Sequence, residues 1–318
     1  MLKVLITTAI ALFTAFSTLE TGAQARELKM GAASTSSSLH AYYTAVGKSI
    51  STTYPDSPVT LDTVGLAFNA EAMRDGKMDF GAVSPDIVSD MAEQGFTGFR
   101  TLWHITPLSQ NTMVTKASGI TKPEQLQGKC LNPGPTGSST AKNMQAILKL
   151  FNVEPKYLLA TADGSIDAIK AGTCIAQTRS LAGDKLDAPT AALDLVVPLT
   201  PIGWDEVQRE KIKAAIPSLY LVQIPAGIVD GAPSYWTHAY WTVIYTTNKL
   251  DEESAYRIMK GMWQKYNLQQ LALPVIRDKD VLKVTLEHAT TPLHAGAVRF
   301  YREIGLTVPD RLIPPESR

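Results

Sequence analysis

The chain has 318 residues, 30 basic and 30 acidic side chains, and 45% hydrophobic residues, an ordinary globular composition with no net charge. Balanced charge offers no electrostatic footprint for a nucleic acid or an anionic membrane surface. Neither internal repeats nor low-complexity segments occur, and the length allows two domains at about 100–200 residues each.

At the amino end, Lys3 precedes an apolar run over 4–16, and small residues surround Ala23-Gln24-Ala25. This is the three-part pattern of a secretory signal, so residues 1–25 are expected to be removed and the mature chain to start at Arg26. A transmembrane anchor is the alternative, but the run is shorter than the ~20 residues a bilayer requires. Export makes a periplasmic location the expectation.

Residues 28–33 read as a short apolar strand, followed by the hydroxyl-rich loop Ser34-Thr35-Ser36-Ser37-Ser38. Leu39, Tyr42, Tyr43, Val46 and Ile50 then form a stripe at helical spacing. A second strand is expected over 59–64, a short helix over 69–75 with Gly76 as its left-handed cap, and a third strand over 78–83. Ser84-Pro85-Asp86 has the order of a helix start: serine as N-cap, proline in the first turn, an acid near the positive end of the dipole. Strands alternating with helices imply βαβ crossovers and a mainly parallel sheet.

A second set begins near Gly128, with a strand at 129–132, the loop Pro133-Gly134-Pro135-Thr136-Gly137, and a helix opened by Ser138-Ser139-Thr140. Its inward face is Met144, Ile147, Leu148 and Phe151, with Asn152 as the stop; a helix at 166–170 ends at Gly172, and Cys174-Ile175-Ala176 is strand-like. Two α/β sets imply two lobes, with the extended stretches 111–116 and 238–247 as crossings between them. The helix over 294–304, with a stripe of Ala297, Phe300, Tyr301 and Ile304, is expected to pack back on the first lobe; the tail from Val308, with three prolines, reads as irregular.

In open parallel sheets ligands bind beyond the carboxyl ends of the strands, where helix N-termini present unpaired N–H groups to an anion. Three segments fit. Gly137, Ser138, Ser139 and Thr140 combine glycine with hydroxyl donors; no lysine follows the glycines, so this is not a P-loop. Ser34 and Ser36 with Tyr43 form the second, against a plain solvated loop as the alternative. Ser84 with Asp86 forms the third, against simple helix capping. Arg179 could pair with a ligand carboxylate or stand on the surface. Tyr235, Trp236, Tyr240 and Trp241 read as core or hinge packing before ligand stacking.

No cofactor or metal is implied. The five histidines at 40, 104, 238, 288 and 294 are scattered, none sits in a metalloprotease or nucleophile motif, and His294 reads as a structural hydrogen-bonding residue, so no enzyme activity is expected. Cys130 and Cys174, in an exported chain, can form a disulfide or remain two buried thiols.

These segments together resemble the TAXI family, the TRAP-associated extracytoplasmic immunogenic proteins, solute receptors of ion-driven TRAP transporters. The resemblance runs over almost the whole mature chain. It comprises the opening strand and loop with Tyr43, then Gly65, Asn69 and Arg74-Asp75-Gly76-Lys77-Met78-Asp79. Ser84-Pro85-Asp86-Ile87-Val88, Leu126-Gln127-Gly128-Lys129 and the stretch 134–140 follow, and residues 292–305 are similar to a closing P-x-H-x-G-A-x-x-Y-Y-x-E-x-G.

The resemblance implies a two-lobe, type II periplasmic-binding-protein-like α/β fold, with residues 26–113 plus 241–318 as lobe I and 114–240 as lobe II. It places ligand contacts at the first loop, Asn69, the Ser84 region and 137–140, for a small carboxylate or amino acid delivered by a monomer to TRAP membrane subunits. The same topology makes the strands of Cys130 and Cys174 neighbours, with both cysteines opposite the ligand edge. The chain departs from the family in its serine-rich first loop, in Leu66 and Phe68 where a serine and a glutamate are common, and in Cys174-Ile175-Ala176. Phe68 brings an aromatic or less polar carboxylate into consideration. A receptor for a sensor kinase or for an ATP-driven importer would share the fold, and an exported hydrolase using Ser138 or Ser84 lacks a partner base.

Overall fold

The computed structural model describes residues 26–33, 35, 37–62, 65–181 and 185–317. The expected signal peptide and the candidate contacts Ser34 and Ser36 lie outside them. Strand and helix alternate first as β1 (Leu28–Gly31), α1 (His40–Thr53), β2 (Val59–Asp62), α2 (Leu66–Arg74), β3 (Phe80–Val83) and α3 (Pro85–Glu93). The long β4 (Phe99–Thr115) leads to β5 (Cys130–Asn132), α4 (Ser139–Leu150), β6 (Lys156–Tyr157), α5 (Ala162–Lys170), β7 (Ala176–Leu181) and α6 (Ala188–Asp194). Next come β8 (Leu199–Ile202), α7 (Glu206–Ala215) and β9 (Tyr220–Ile224). The equally extended β10 (Tyr235–Thr247) returns, and α8 (Glu252–Gln264), α9 (Tyr266–Ala272), α10 (Val281–His288) and α11 (Ala295–Glu303) follow. No helix among the described residues is long and apolar enough to cross a membrane.

The strands follow the order β2-β1-β3-β10-β4-β7-β5-β6, with β8 on β4 and β9 on β10. β1 pairs in parallel with β2 and β3, and β5 with β6 and β7. All four residues of β3 are buried, as a strand covered on both faces requires. β1 and β3 approach so closely that a Cβ on Gly81 would lie 2.7 Å from the carbonyl oxygen of Gly31, which only glycine avoids.

β4 and β10 serve both lobes. They pair antiparallel from His238↔Gln110 to Thr247↔Phe99; β10 also pairs with β3, while β4 pairs with β7 from Ser109 onward. The expected divisions after 113 and 240 fall inside these two strands. The β4–β10 ladder shifts register twice, leaving Ile105 and Leu102 of β4 without partners. Such bulges bend a strand locally.

Tyr42, Tyr43, Val46 and Ile50 of α1 are all buried, and α1 packs against α8 and α9, with α8 also against α11. Ala297, Phe300 and Tyr301 enter this core; Ile304, expected with them, is 36% exposed because α11 has ended and the chain turns at Gly305. The proline-rich tail forms two 3-10 turns, Asp310–Leu312 and Pro315–Ser317, tied down by a two-pronged pair from Arg100 to Glu316 at 2.7 and 2.8 Å. Cys130 and Cys174 form a disulfide across the parallel neighbours β5 and β7, at their amino ends. Cys174 stands two residues ahead of β7 rather than within it.

Candidate ligand-binding site

The parallel strands of each lobe deliver their following loops to one edge, where helices begin. Four of those starts, of α1 and α2 in the first lobe and α4 and α5 in the second, border a cavity of about 500 Å³. The first turns of α1, α2 and α4 carry no acid, so their N–H groups keep their partial positive charge; α5 carries Asp163. Ser138 caps α4 by accepting from the Ala141 N–H at 3.2 Å, and Thr161 caps α5. α2 starts from Gly65 without any side-chain cap.

The loop before α4 is held by Asn132. Its Oδ1 accepts from the Gly134 N–H at 2.6 Å and its Nδ2 donates to the Ala160 carbonyl at 3.2 Å, joining the loops after β5 and β6. Gly134 and Gly137 take φ values of 116° and 76°, the left-handed region that favours glycine. Behind the loop, Thr140 and Ser180 share a hydrogen bond at 2.8 Å, and Ser180 donates to Gln110 Oε1 at 3.1 Å and approaches the Tyr240 hydroxyl at 3.4 Å. Burial pushes the Tyr43 and Tyr240 phenols above their ordinary range, so both remain protonated near neutral pH.

Tyr43, Gly137, Ser138, Thr140 and Arg179 all line this cavity. Arg179 brings a charge already balanced: its Nη2 meets Asp187 Oδ1 at 2.8 Å and its Nε meets Oδ2 at 3.4 Å. Asp187 also accepts from the N–H and hydroxyl of Thr190.

The remaining candidates lie elsewhere. Ser84 occupies the N-cap position of α3, but its hydroxyl makes no capping bond; it is paired at 2.7 Å with Ser139 of the opposite lobe, and both are buried. Asp86 is buried with no hydrogen bond to its carboxylate and lies 3.8 Å from Lys142 Nζ, which also pairs with Asp90. This seam adjoins an outer groove of about 460 Å³ between α2, α3 and α4. Asn69 does not reach the cavity: its side-chain amide donates to the carbonyls of Ala32 at 3.3 Å and Ala82 at 2.9 Å, bridging the ends of β1 and β3.

Asn132, Thr161 and Ser180 line the site and were absent from the sequence-derived set. Thr161, ahead of an acid and a helical stretch, had a capping signature; nothing local marks Ser180. His294 accepts from the Gly296 N–H through Nδ1 at 3.1 Å and pairs with the Leu250 carbonyl through Nε2, a structural role. Among the described residues no cluster of histidine, cysteine and carboxylate side chains could hold a metal ion.

A model of the NMT1-like family matches residues 30–305. No curated protein matches the sequence. Among solved structures, a protein of Bordetella bronchiseptica RB50 is 13% identical, with a TM-score of 0.54 over 89% of this chain and 90% of that one. The binding-protein component of an ABC phosphonate transporter from Pseudomonas aeruginosa is 14% identical, with a TM-score of 0.51 over 79% of each chain. A structure described with glutathione import through GshT and the cystine ABC importer TcyBC of Streptococcus mutans is 11% identical, with a TM-score of 0.51 over 78% and 95%. At such identities the likeness is one of fold, the two-lobed periplasmic-binding-protein-like α/β architecture.

Proposed function

This chain belongs to the NMT1-like family, and from that premise we propose that it is an extracytoplasmic solute receptor for a membrane transporter. It captures a small carboxylate or amino acid between lobe I (26–113 plus 241–318) and lobe II (114–240), acts as a monomer in the periplasm after loss of residues 1–25, and catalyses nothing. The observation that carries this reading is the cavity between the lobes, ringed by helix starts whose first turns, α5 excepted, are free of acids. Solute bridging the two walls favours closure, because contacts to both lobes form together only in the closed state.

The membrane partner in this proposal is a TRAP-type secondary transporter, supported by the ordered motifs ending in residues 292–305. An ATP-driven importer is the second reading, favoured by the phosphonate-transporter component that shares the fold. Native mass spectrometry of freshly purified protein, followed by thermal-shift screening of carboxylates and amino acids, tests the receptor reading. A bound small anion that raises the melting temperature supports it, as a ligand specific to the native state must; steady turnover of that molecule would sink it. Uptake into vesicles holding the cognate membrane subunits, with an ion gradient or ATP supplied separately, decides between the partners.

A further inference from the structure

We infer that the ligand is an amphipathic monoanion: one oxyanion head, carboxylate or sulfonate, on an aliphatic or aromatic body. This rests on the receptor reading above and narrows it. The two walls of the cavity differ in kind. The first lobe supplies Leu39, Leu66 and Phe68, with Leu108 of β4, and only Ser37, Ser38 and the Tyr43 phenol as polar side chains among the described residues. Phe68 is 60% exposed, a ring held at the cavity with most of its surface uncovered. The second lobe supplies Ser138, Thr140, Thr161 and Ser180, with the start of α4 behind them. A polar head is satisfied on the second-lobe wall, and an apolar body is desolvated on the first.

Charge sets the valence. Among the described residues, the only charged side chains lining the cavity are Arg179 and Asp163. Arg179 is neutralised by Asp187, and Asp163 offsets the dipole of α5. What remains is the partial positive charge of the acid-free helix starts, suited to one anion. The second carboxylate of a dianion would find no uncompensated cationic side chain on either wall, and on the first it would lie partly against Leu39, Leu66 and Phe68, where an unpaired charge is strongly disfavoured. An α-ammonium group would have Asp163 alone as a carboxylate partner, and that side chain is exposed to competing water.

Calorimetric titration of dialysed mature protein with phenylacetate, hexanoate, hexanesulfonate, succinate, glutamate and the neutral phenylacetamide tests this. The expected result is binding of the three monoanions at least about tenfold tighter than succinate, glutamate or phenylacetamide, a difference of ~1.4 kcal/mol; the carboxylate and sulfonate arms separate the two head groups. Phe68→Ala should weaken phenylacetate by about tenfold while the ligand-free melting temperature holds, since the ring is mostly exposed already. Equal or tighter binding of succinate or glutamate overturns the inference and leaves the receptor reading intact. Equal binding of phenylacetamide overturns the anionic head, and failure of all six to bind overturns the inference, while the receptor reading is decided by the native mass spectrometry and thermal-shift screen.

Discussion

Asp187 decides how much charge Arg179 offers the cavity. With its carboxylate bonded to the guanidinium and to Thr190, the arginine behaves as part of the wall rather than as a free cation. Asp187→Asn keeps the shape and removes the neutralising charge. We expect it to raise succinate affinity relative to phenylacetate by about tenfold, read by calorimetry, and to lower stability by roughly 1–3 kcal/mol, because a charge-assisted pair is lost in a largely buried place. Two histidines on the shared strands set the acid response. Burial pushes His104 and His238 down to about 3, His104 also through the nearby charge of His288. In the unfolded chain these rings take up protons near pH ~6.5, whereas the folded chain excludes them until about 3, so their contribution is complete above pH ~6.5 and is lost as the pH falls through that window. At pH 5 the loss is on the order of 2 kcal/mol for each ring. Urea midpoints should fall between pH 7 and pH 5, and His238→Gln should reduce that slope, with the rest left to His104 and to His294, which burial also pushes down; a flat profile contradicts it. Side-chain roles were the least legible part of the sequence. Ser84 looks like a cap in one dimension, and only the fold brings Ser139 to it from 55 positions away. Asn69 matches a family contact by position, and the fold uses its amide nitrogen for two backbone carbonyls while its Oδ1 is buried without a hydrogen-bond partner.

Among the elements, β5 and β7 gain most from a covalent tie. The cysteines are separated by 44 positions, and closing a loop of that size stabilises by about 4 kcal/mol in the chain-entropy account. The bridge lies at the amino ends of these strands, whereas Asn132, Thr178 and Ser180, on the cavity side of the same two strands, follow it in the chain. Cys130→Ala with Cys174→Ala should therefore lower the melting temperature by several degrees and leave ligand affinity within about twofold. Non-reducing mass spectrometry should find no alkylatable thiol before reduction. α3 and α4 meet through Lys142 with Asp90 and Asp86 and through the Ser84–Ser139 bond. Lys142 and Asp90 are each nearly half exposed, so their pair is worth only about 0–1 kcal/mol. Lys142→Met should speed ligand release by less than about fivefold in stopped-flow measurements; a larger change would mean that the rim, rather than the solute, holds the cleft shut. Element order was readable because hydrophobic stripes, strand-ending loops and helix starts are local patterns. The true length of β4 was not, because polar residues such as Thr106 and Gln110 interrupt its apolar pattern and are buried in the fold; β10, expected from 238, starts three residues earlier at Tyr235.

For the molecule as a whole, the seam bonds between α3 and α4 mark a cleft with its walls in contact. Small-angle scattering should show the radius of gyration shrinking when a ligand from the tight-binding class is added to the dialysed protein; an unchanged profile would remove hinge closure from the mechanism. Two lobes were legible from two strand–helix sets separated by extended stretches, but the mainly parallel sheet expected from their alternation is a mixed one: β1 to β3 and β5 to β7 pair in parallel, and every pairing made by β4 or β10 is antiparallel. A ligand cannot be read that way, since the cavity is assembled from segments more than a hundred residues apart, from Ser37 to Tyr240. The paired crossing strands carry a mechanical corollary. Two straps bonded side by side over their length can flex together about a single line, but twisting one against the other would shear the ladder between them. Under the proposed hinge closure, bending about that line is favoured over twisting, and the two half-sites return to the same alignment each time they meet, without any contact having to search for its mate.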